Sequence, residues 1–483
     1  MASASSEPLH LKQTVRWLEA DTETPISLYL KLAGSGDGIL LESAEVDGRW
    51  GRYSVLACDM LFFISCRQGN AWFDIRDERF ASLASHNGKP WLAGVRAAMA
   101  AITIEQPDEE LPPITRALYG YLGFGMAAIF NPHLQKVMPA QDSESVLALP
   151  ANVFVFDHLY NRLCQLSISG QDALPDGNLR QPGASDYVHI DTDRIEARPD
   201  GEGYKRFVAE IRERLRKGEA IQIVPSVRFC APFEGDPFLL YRRMRRFNAS
   251  PYMFYMRFPE ITLFGASPEV MVRCTRDKLE LSPIAGTRRR GATREEDERL
   301  AAELLRDPKD CAEHVMLVDL GRNDLGRVAQ PGSVKVDKFM QVQRFSHVMH
   351  MTSDVTATLR QTAASGHELD ALDVLAAAFP AGTVSGAPKF RAMEIIRELE
   401  GQDRGPYAGC IGWIGLDKDA VNMDMGIAIR SMWVRDGRIC WQAGGGIVHD
   451  SDPELEWQEV CNKSAIMRLA LGLEEGRNVP AHR

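Results

Sequence analysis

Ser282-Pro283-Ile284-Ala285-Gly286-Thr287-Arg288-Arg289-Arg290-Gly291 is the most informative stretch of this 483-residue chain. A proline, a glycine and a run of arginines are also typical of a solvated basic turn, so the stretch needs context. Further motifs follow it in order: Ala312–Asp324 (AEHVMLVDLGRND), Ser346–His350 (SHVMH), Ala381–Lys389 (AGTVSGAPK) and Glu456–Lys463 (EWQEVCNK). This ordered set favours one composite site over an isolated turn.

These motifs, with Ile39–Ser43 (ILLES) and Asn248–Phe254 (NASPYMF), resemble the chorismate-utilising enzymes, and most closely the anthranilate synthase component I family. The resemblance runs from about Thr14 to about Leu473. It implies an α+β fold, with an antiparallel β-sandwich core flanked by helices, and the synthase activity of tryptophan biosynthesis. Two departures are Ala249, where the family usually has proline, and Gly123–Met126, which lacks an expected Tyr-Asp.

Composition indicates an ordinary soluble globular protein, because 45% of the residues are hydrophobic and 25% are charged. The N-terminal residues show no secretory pattern and no apolar run reaches a membrane span, so we expect a cytoplasmic protein without membrane contact. A net charge of −10 gives no long-range attraction for nucleic acid, and any anion site must be built locally. Nine scattered cysteines predict reduced, mostly buried thiols.

The turn-rich segment from Gly170 to Ser185 predicts a boundary between an N-terminal regulatory and partner-binding domain (14–180) and a chorismate-binding catalytic domain (195–473). Irregular alternation of strands and helices, without a βαβ rhythm, independently favours α+β. Local patterns predict helices over Trp91–Ile102 and Tyr204–Lys217 and a strand over Ile221–Phe229, and they predict helix starts at Asp236-Pro237, Thr293 with Glu296, and Asp307-Pro308.

Two acidic helix faces are candidates for a shared cation. Asp310 and Glu313 lie three residues apart, and Glu456, Glu459 and Lys463 share a face of another predicted helix. Solvated surface faces are the alternative. Magnesium suits such sparse ligands, since it prefers one or two carboxylates plus waters and substrate oxygens. The resemblance implies that Glu313 and Glu459 hold Mg²⁺ against the ring carboxylate of chorismate, with Asp310 and Glu456 acting through water.

Chorismate chemistry needs a proton donor and a base. By resemblance, Glu269 is the general acid at the departing ring hydroxyl, which requires a raised pKa; the alternative is a strand-end glutamate paired with an arginine. His350 matches the family base that removes the ring C2 proton so that pyruvate leaves, and His347 is interpreted as a packing neighbour. A transition-metal site at the two histidines lacks a suitable third ligand.

The resemblance assigns the substrate carboxylates and side chain to a further group of residues. Glycines let backbone N–H groups approach an anion closely, although a glycine run is also typical of a tight turn. No nucleotide-binding glycine motif is present. The predicted substrate-binding residues are Gly286, Thr287, Thr383, Tyr407, Arg430, Gly444, Gly445, Gly446 and Lys463, with Thr287 also a catalytic candidate.

Two positions bear on which chorismate reaction is catalysed. Gln222 stands where water-adding relatives carry a lysine base, and glutamine cannot deprotonate water, which favours ammonia as nucleophile. Ala285 replaces the lysine typical of aminodeoxychorismate synthases. No glutaminase motif is found, and Cys410 has the wrong frame, so a separate glutamine amidotransferase subunit and a hetero-oligomer are implied. Aminodeoxychorismate or isochorismate synthesis, or a non-catalytic amino-acid-sensing role, are the alternatives.

A regulatory site is predicted where two of the motifs meet. An amino-acid effector needs an oxygen group for its ammonium and an apolar slot for its side chain. The resemblance implies inhibition by L-tryptophan, whereas the structural alternative is a strand end packed on a loop. The predicted effector residues are Leu41, Glu42, Ser43, Pro251, Tyr252 and Met253.

Overall fold

The computed structural model describes residues 8–18, 22–43, 52–105, 111–160, 162–168, 187–248, 250–345, 348–363 and 365–473. The predicted boundary at Gly170–Ser185, His347 and Ala249 therefore lie outside the described residues. The α-helices of the described chain are α1 Pro25–Leu32, α2 Trp91–Ala101, α3 Ala127–Phe130, α4 Gly201–Arg216, α5 Pro237–Phe247, α6 Arg294–Leu304, α7 Pro308–Gly326, α8 Ala371–Ala378, α9 Lys389–Glu400 and α10 Pro453–Ala470.

The strands of the same residues are β1 Leu9–Leu18, β2 Gly38–Glu42, β3 Tyr53–Arg67, β4 Asn70–Ile75, β5 Ile102–Glu105, β6 Ala117–Leu122, β7 Glu144–Asp157, β8 Arg162–Ile168, β9 Val188–Ile190, β10 Glu196–Arg198, β11 Gln222–Ile223, β12 Ser226–Gly235, β13 Tyr252–Arg257, β14 Thr262–Ser267, β15 Val270–Thr275, β16 Lys278–Leu281, β17 Ile284–Arg289, β18 Lys335–Arg344, β19 Val348–Thr358, β20 Gly386–Ala387, β21 Cys410–Gly415, β22 Met423–Ile427, β23 Ser431–Arg435 and β24 Arg438–Gly444.

The long strands β3 and β7 join two arms of an antiparallel sheet. One arm runs through β2, β13, β14, β23, β24 and β12, and the other through β6, β21, β22, β15, β16 and β19. Strands of the predicted N-terminal segment thus pair with strands of the predicted catalytic segment at β2–β13 and β6–β21. The α+β fold with an antiparallel core flanked by helices is confirmed.

Alternation along β13 shows how the layers pack. Phe254 and Met256 belong to a buried cluster that also contains Met425 of the other arm, so the two arms enclose one core. Met253 and Tyr255 point to the opposite face, where a second cluster is built with helices α4, α5, α9 and α10. The period of two in side-chain direction therefore gives β13 a sandwich face and a helix-covered face.

Most local predictions from sequence are confirmed. Asp236 and Asp307 cap α5 and α7 by accepting backbone N–H groups, each with proline at the first turn. Thr293 caps α6, but Glu296 accepts from the Ala292 N–H rather than from Thr293, so the capping box is only half formed. The predicted strand over Ile221–Phe229 breaks at Pro225, which has no N–H to donate to a ladder.

The prediction of reduced thiols is wrong for one pair. Cys230 and Cys440 face each other across β12 and β24, with Cα atoms 4.2 Å apart, and form a disulfide. Their separation of 210 residues gives no sequence pattern to detect. The other cysteines are free and mostly buried. Within the described residues, no helix is both long and apolar enough to cross a bilayer.

Candidate active site

A run of glycines after β24 is the floor of the candidate site. A Cβ atom on Gly445 would lie 3.4 Å from a carboxylate oxygen of both Glu456 and Glu459, and one on Gly446 would lie 3.5 Å from Glu313 Oε1. The missing side chains thus leave room for carboxylates from α7 and α10 to meet over the backbone. The structure places Glu456 and Glu459 beside Gly445 and Glu313 beside Gly446, the next residue, and among the described residues no three metal-ligating side chains are grouped closely enough to form a ready-made metal site.

Glu459 and Glu456 differ in whether a neighbouring cation compensates their negative charge. Glu459 forms an ion pair of 2.6 Å with Lys463, and although burial opposes ionisation, Lys463 lowers the pKa of Glu459. Lys463 Nζ also donates to the Gly444 carbonyl at 3.1 Å. Burial raises the pKa of Glu456, and the nearby Glu459 raises it further. Glu456 Oε2 is buried and has no hydrogen-bond partner in the described structure.

Gln222 of the short strand β11 is a hydrogen-bond partner of Glu313. Its side-chain amide donates a hydrogen bond of 2.9 Å to Glu313 Oε1. A Cβ on Gly446 would come within 2.4 Å of the same amide nitrogen, so the glycine is required for this contact. Gln222 therefore belongs to the carboxylate cluster and orients one of its members.

Glu269 lies in the short link between β14 and β15 and is only 7% exposed. Burial raises its pKa to about 8, while the neighbouring Thr383 hydroxyl and Lys463 charge act in the opposite direction. The side chain is therefore protonated at neutral pH, as a general acid must be. No arginine ion pair engages it within the described residues, in contrast to the strand-end alternative.

His350 on β19 lies opposite Thr287 on β17. Its Nδ1 is 3.2 Å from the Gly286 carbonyl and 3.0 Å from Thr287 Oγ1. Because a carbonyl can only accept, the Gly286 contact favours the tautomer with the proton on Nδ1 and a lone pair on Nε2. Burial lowers the pKa of His350 to about 4, with Arg430 contributing, so the imidazole is neutral and able to act as a base.

Gly286 creates the bulge that allows this contact. It has φ +62°, and a Cβ there would meet Leu304 at 2.7 Å and Asp310 at 3.1 Å. The arginines that follow are not a solvated turn, since Arg288 binds Asp310 at 2.9 Å and Arg290 binds Asp297 at 2.7 Å. Asp310 therefore contacts Arg288 and the Gly286 bulge, and its water-mediated metal role stays a prediction.

Arg430 is a half-buried cation close to Tyr407 and Glu459. Burial lowers its pKa, and its guanidinium makes no hydrogen bond to any residue that the structure describes. Tyr407 lies nearby, with its hydroxyl 3.1 Å from the position of a Cβ on Gly444 and its pKa raised by burial. An anionic group entering beside them would gain both a charge and a hydroxyl donor.

Sequence reasoning missed Tyr204, which it used only as an apolar position of α4. The Tyr204 hydroxyl is buried beside the Gly445 backbone, 3.5 Å from the position of a Cβ on that glycine, and has no side-chain partner among the described residues. Burial raises its pKa, and Glu456 and Glu459 add to the effect. A tyrosine at a buried helix position needs a hydrogen-bond partner for its hydroxyl. That need is the sequence signal that could have identified Tyr204 as a site residue.

The predicted effector residues lie on paired strands, where Glu42 of β2 is opposite Met253 of β13. The buried Glu42 carboxylate accepts from Tyr241 at 2.5 Å and pairs with Arg245 at 2.9 Å. Ser43 Oγ is buried and has no partner in the described structure. Leu41 and Pro251 flank this pair, whereas the Tyr252 hydroxyl donates to Asp424 at 2.6 Å on the other face.

Comparisons with known proteins agree on one family. A family model described as chorismate binding enzyme matches residues 62–468. The anthranilate synthase component 1 of Aquifex aeolicus is 41% identical over 95% of this chain and 94% of its own length. The crystal structure of anthranilate synthase component I from Streptococcus pneumoniae has a TM-score of 0.71 and 31% identity, covering 94% of this chain and 99% of that one. The menaquinone-specific isochorismate synthase of Escherichia coli shares the fold at 20% identity, with a TM-score of 0.71, covering 97% of this chain and 96% of that one.

Proposed function

The chain belongs to the chorismate-binding enzymes and, among them, to the anthranilate synthase component I family, and from this premise we propose that it converts chorismate and ammonia to anthranilate and pyruvate. The feature that carries the proposal is a buried carboxyl group and a half-buried imidazole near the same cluster, with pKa values that burial shifts in opposite directions. Glu269 is an acid at neutral pH and His350 is a neutral imidazole. One reaction that needs both is amination with loss of a hydroxyl, followed by deprotonation of the ring.

Glu269 acts first in this scheme. Ammonia adds to the ring at C2 while the C–O bond of the ring hydroxyl breaks, and the Glu269 proton converts the hydroxyl to water. The added nitrogen then releases one proton, which restores the acid form of Glu269. A hydroxyl is a poor leaving group, so protonation lowers the barrier most if the acid is already neutral when the substrate arrives. The burial that raises the pKa of Glu269 to about 8 supplies that state.

His350 then takes the C2 proton. The electron pair released from the C–H bond makes the ring aromatic, and the enolpyruvyl side chain leaves as pyruvate. The Gly286 carbonyl holds the Nδ1 proton, which leaves Nε2 as the accepting atom. Arg430 and Tyr407 would bind a substrate carboxylate, because Arg430 is a half-buried guanidinium with no hydrogen bond among the described residues.

The carboxylates beside Gly445 and Gly446 are of the kind that binds magnesium. Glu459 and the orphaned oxygen of Glu456 lie against Gly445, and Glu313 lies against Gly446. This all-oxygen set with few protein ligands matches the preference of Mg²⁺, which keeps waters and binds substrate oxygens. When bound, Mg²⁺ would neutralise a substrate carboxylate next to this acidic cluster. We propose Glu313 and Glu459 as its ligands and Glu456 as a partner through water.

Ammonia rather than water is the proposed nucleophile. Gln222 points its amide at Glu313 and has no basic atom with which to activate water. Ammonia must arrive unprotonated, which a glutamine amidotransferase subunit would provide. Cys410 is fully buried, and burial raises the pKa of its thiol, so it is unsuited to be a glutaminase nucleophile within this chain.

Inhibition by L-tryptophan is proposed at the β2–β13 junction. The buried Ser43 hydroxyl lacks a partner, and Met253 lies on the adjacent strand. Ser43→Ala should weaken inhibition while leaving uninhibited activity intact, which initial rates at increasing tryptophan would measure; Ser333→Ala, an exposed turn serine, is the control. Equal inhibition of both variants would contradict the assignment.

The function itself is tested with purified protein, chorismate, MgCl₂ and an ammonium salt. Anthranilate fluorescence and an equal yield of pyruvate are expected. Isochorismate or aminodeoxychorismate as the product would assign the chain to the corresponding alternative reaction. If chorismate is not consumed even when an amidotransferase subunit and glutamine are supplied, the non-catalytic alternative is supported.

A further inference from the structure

A cavity of about 780 Å³ lies apart from the candidate active site. One wall is α5, and the others are the end of β7, the start of β8 and the start of α1. Its described lining includes none of the predicted catalytic, substrate-binding or metal residues. The lining residues are Glu23, Thr24, Pro25, Ile26, Phe156, Asp157, His158, Arg162, Leu239, Arg242, Arg243, Arg245 and Arg246.

The lining contains two carboxylates, and each is paired with a basic residue that does not line the cavity. Glu23 is ion-paired with Lys31, which lowers the pKa of Glu23 against the effect of burial. Asp157 is only 8% exposed and binds Arg52 at 2.8 Å. Neither Lys31 nor Arg52 lines the cavity. The arginines of the lining therefore face the cavity without counter-charge from these two acids.

Most of these arginines have no carboxylate partner in the described structure. Arg242 and Arg246 make no side-chain hydrogen bond or ion pair with a described residue. Arg243 reaches only the Ala470 carbonyl at 3.5 Å, and Arg162 lies over the rings of Trp17 and Tyr160. Arg245 alone has an acidic partner, Glu42.

Helix electrostatics explain only part of this arrangement. Arg245 and Arg246 lie in the last turn of α5, where cations favour the helix dipole. Arg162 and His158, however, come from β8 and the end of β7 and line the same cavity. Cations from separate elements that converge on one concavity indicate a built anion site rather than a capped helix.

We infer that this cleft, the α5 cleft, binds a small molecule carrying several phosphate charges. Guanidinium groups bind phosphate oxygens through paired N–H donors, and about 300–1,000 Å³ is the usual volume of a small-molecule site. The chain as a whole has a net charge of −10, so the cleft is a local exception and not one part of a general polyanion-binding surface. Its concave shape and limited volume favour a small ligand over an extended polymer.

Calorimetric titration of the full chain with phosphate, pyrophosphate and tripolyphosphate at constant ionic strength tests this inference. Affinity should rise with the number of phosphates. The double variant Arg242→Gln/Arg246→Gln should bind tripolyphosphate at least tenfold more weakly, and Arg162→Gln on the facing wall should weaken it too. Arg294→Gln/Arg322→Gln, which removes two exposed arginines elsewhere, should bind as the unaltered chain does.

Three results would overturn the inference. They are the absence of saturable tripolyphosphate binding, equal affinity in the cleft and control double variants, and tighter competition by a hexaglutamate peptide, which would indicate an acidic protein segment instead. Circular dichroism melting of each variant checks folding. Because the titration contains no chorismate, it succeeds or fails independently of the proposed catalysis, and the cleft double variant should keep its rate of anthranilate formation.

Discussion

The amide of Gln222 donates to Glu313 Oε1 at 2.9 Å and so ties the two-residue strand β11 to the middle of helix α7. An amide can orient a carboxylate but cannot take up a proton. The side chain that orients Glu313 toward Gly446 is therefore also one that cannot act as a base at this position. Ligand orientation and nucleophile choice depend on one side chain.

Gln222→Ala should weaken magnesium activation by about tenfold or more, because outer partners that orient metal ligands are worth about 10–100-fold in metal affinity. Anthranilate formation at increasing MgCl₂ measures the effect. Gln458→Ala, which removes an exposed glutamine paired with Asn462 on α10, is the matched control. An unchanged magnesium dependence in Gln222→Ala would refute the orienting role.

Activity should fall as pH rises through about 8, because burial raises the pKa of Glu269 to about 8 and only the protonated form can donate. Glu269→Gln should lose about 100-fold or more in kcat, the usual contribution of a general acid. The pH profile of kcat/KM measures the first effect. A flat profile between pH 7 and 9 would remove Glu269 from the acid role.

Glu269 should also make the fold less stable as pH rises. Its folded pKa of about 8 exceeds the ordinary value of 4.5, so between these values the folded chain holds a proton that the unfolded chain has released. Stability then declines with increasing pH across that window. Urea unfolding at several pH values measures the free energy of unfolding, which should decline less with pH in Glu269→Gln than in the unaltered chain. An equal decline in both proteins would contradict a raised pKa of Glu269 in the folded chain.

His350→Ala should stop aromatisation and let the amino-dihydro intermediate accumulate. Burial lowers the pKa of His350 to about 4, so the neutral base persists through the physiological range and is lost only as pH falls toward that value. Chromatography of reaction mixtures measures the intermediate. His449→Ala, at an exposed histidine, should behave as the unaltered enzyme; normal anthranilate output from His350→Ala would reassign the base.

Arg430→Gln should raise the KM for chorismate by about 10–100-fold, since a charge-assisted hydrogen bond contributes about 1.5–3 kcal/mol. Its unfolding midpoint should stay level or rise, because the variant removes a half-buried cation without a hydrogen-bonded partner in the described structure. Steady-state kinetics and thermal melting give the two readouts. A loss of stability without a change in KM would make Arg430 structural.

Glu400→Gln should destabilise the fold by about 3–5 kcal/mol, the usual result of breaking a buried ion pair. Glu400 and Arg404 are each 1% exposed and bind at 2.7 Å, and Arg404 also donates to the Val224 carbonyl beside β11. Urea unfolding measures the change. Glu298→Gln, in a surface pair with Arg294, should cost at most about 1 kcal/mol.

Local sequence signals located much of this architecture. Helix starts at Asp236 and Asp307 were predictable because a capping side chain and a proline lie next to each other in the chain. Glu313 and Glu459 could be proposed only through the family resemblance, since a glutamate on a helix face is ordinarily solvated. Their convergence depends on Gly445 and Gly446, whose role appears only when distant helices are packed over them.

Other features have no local signal at all. Cys230 and Cys440 become neighbours through strand pairing across 210 residues, so composition could not distinguish them from the free thiols. The partner of Glu42 was likewise hidden, because Arg245 reaches it from a helix that is remote in sequence. The helical pattern treats Tyr204 as an apolar residue because its ring is apolar, and this treatment leaves its hydroxyl group out of account.

The pairing of β2 with β13 and of β6 with β21 constrains how the chain can be divided. A fragment beginning near residue 195 would expose the backbone donors and acceptors of two long strand edges. Such edges recruit further copies of the same chain. Expression of the C-terminal segment alone should therefore yield aggregates, and an unregulated variant would have to be made by point substitution in the full chain and not by truncation.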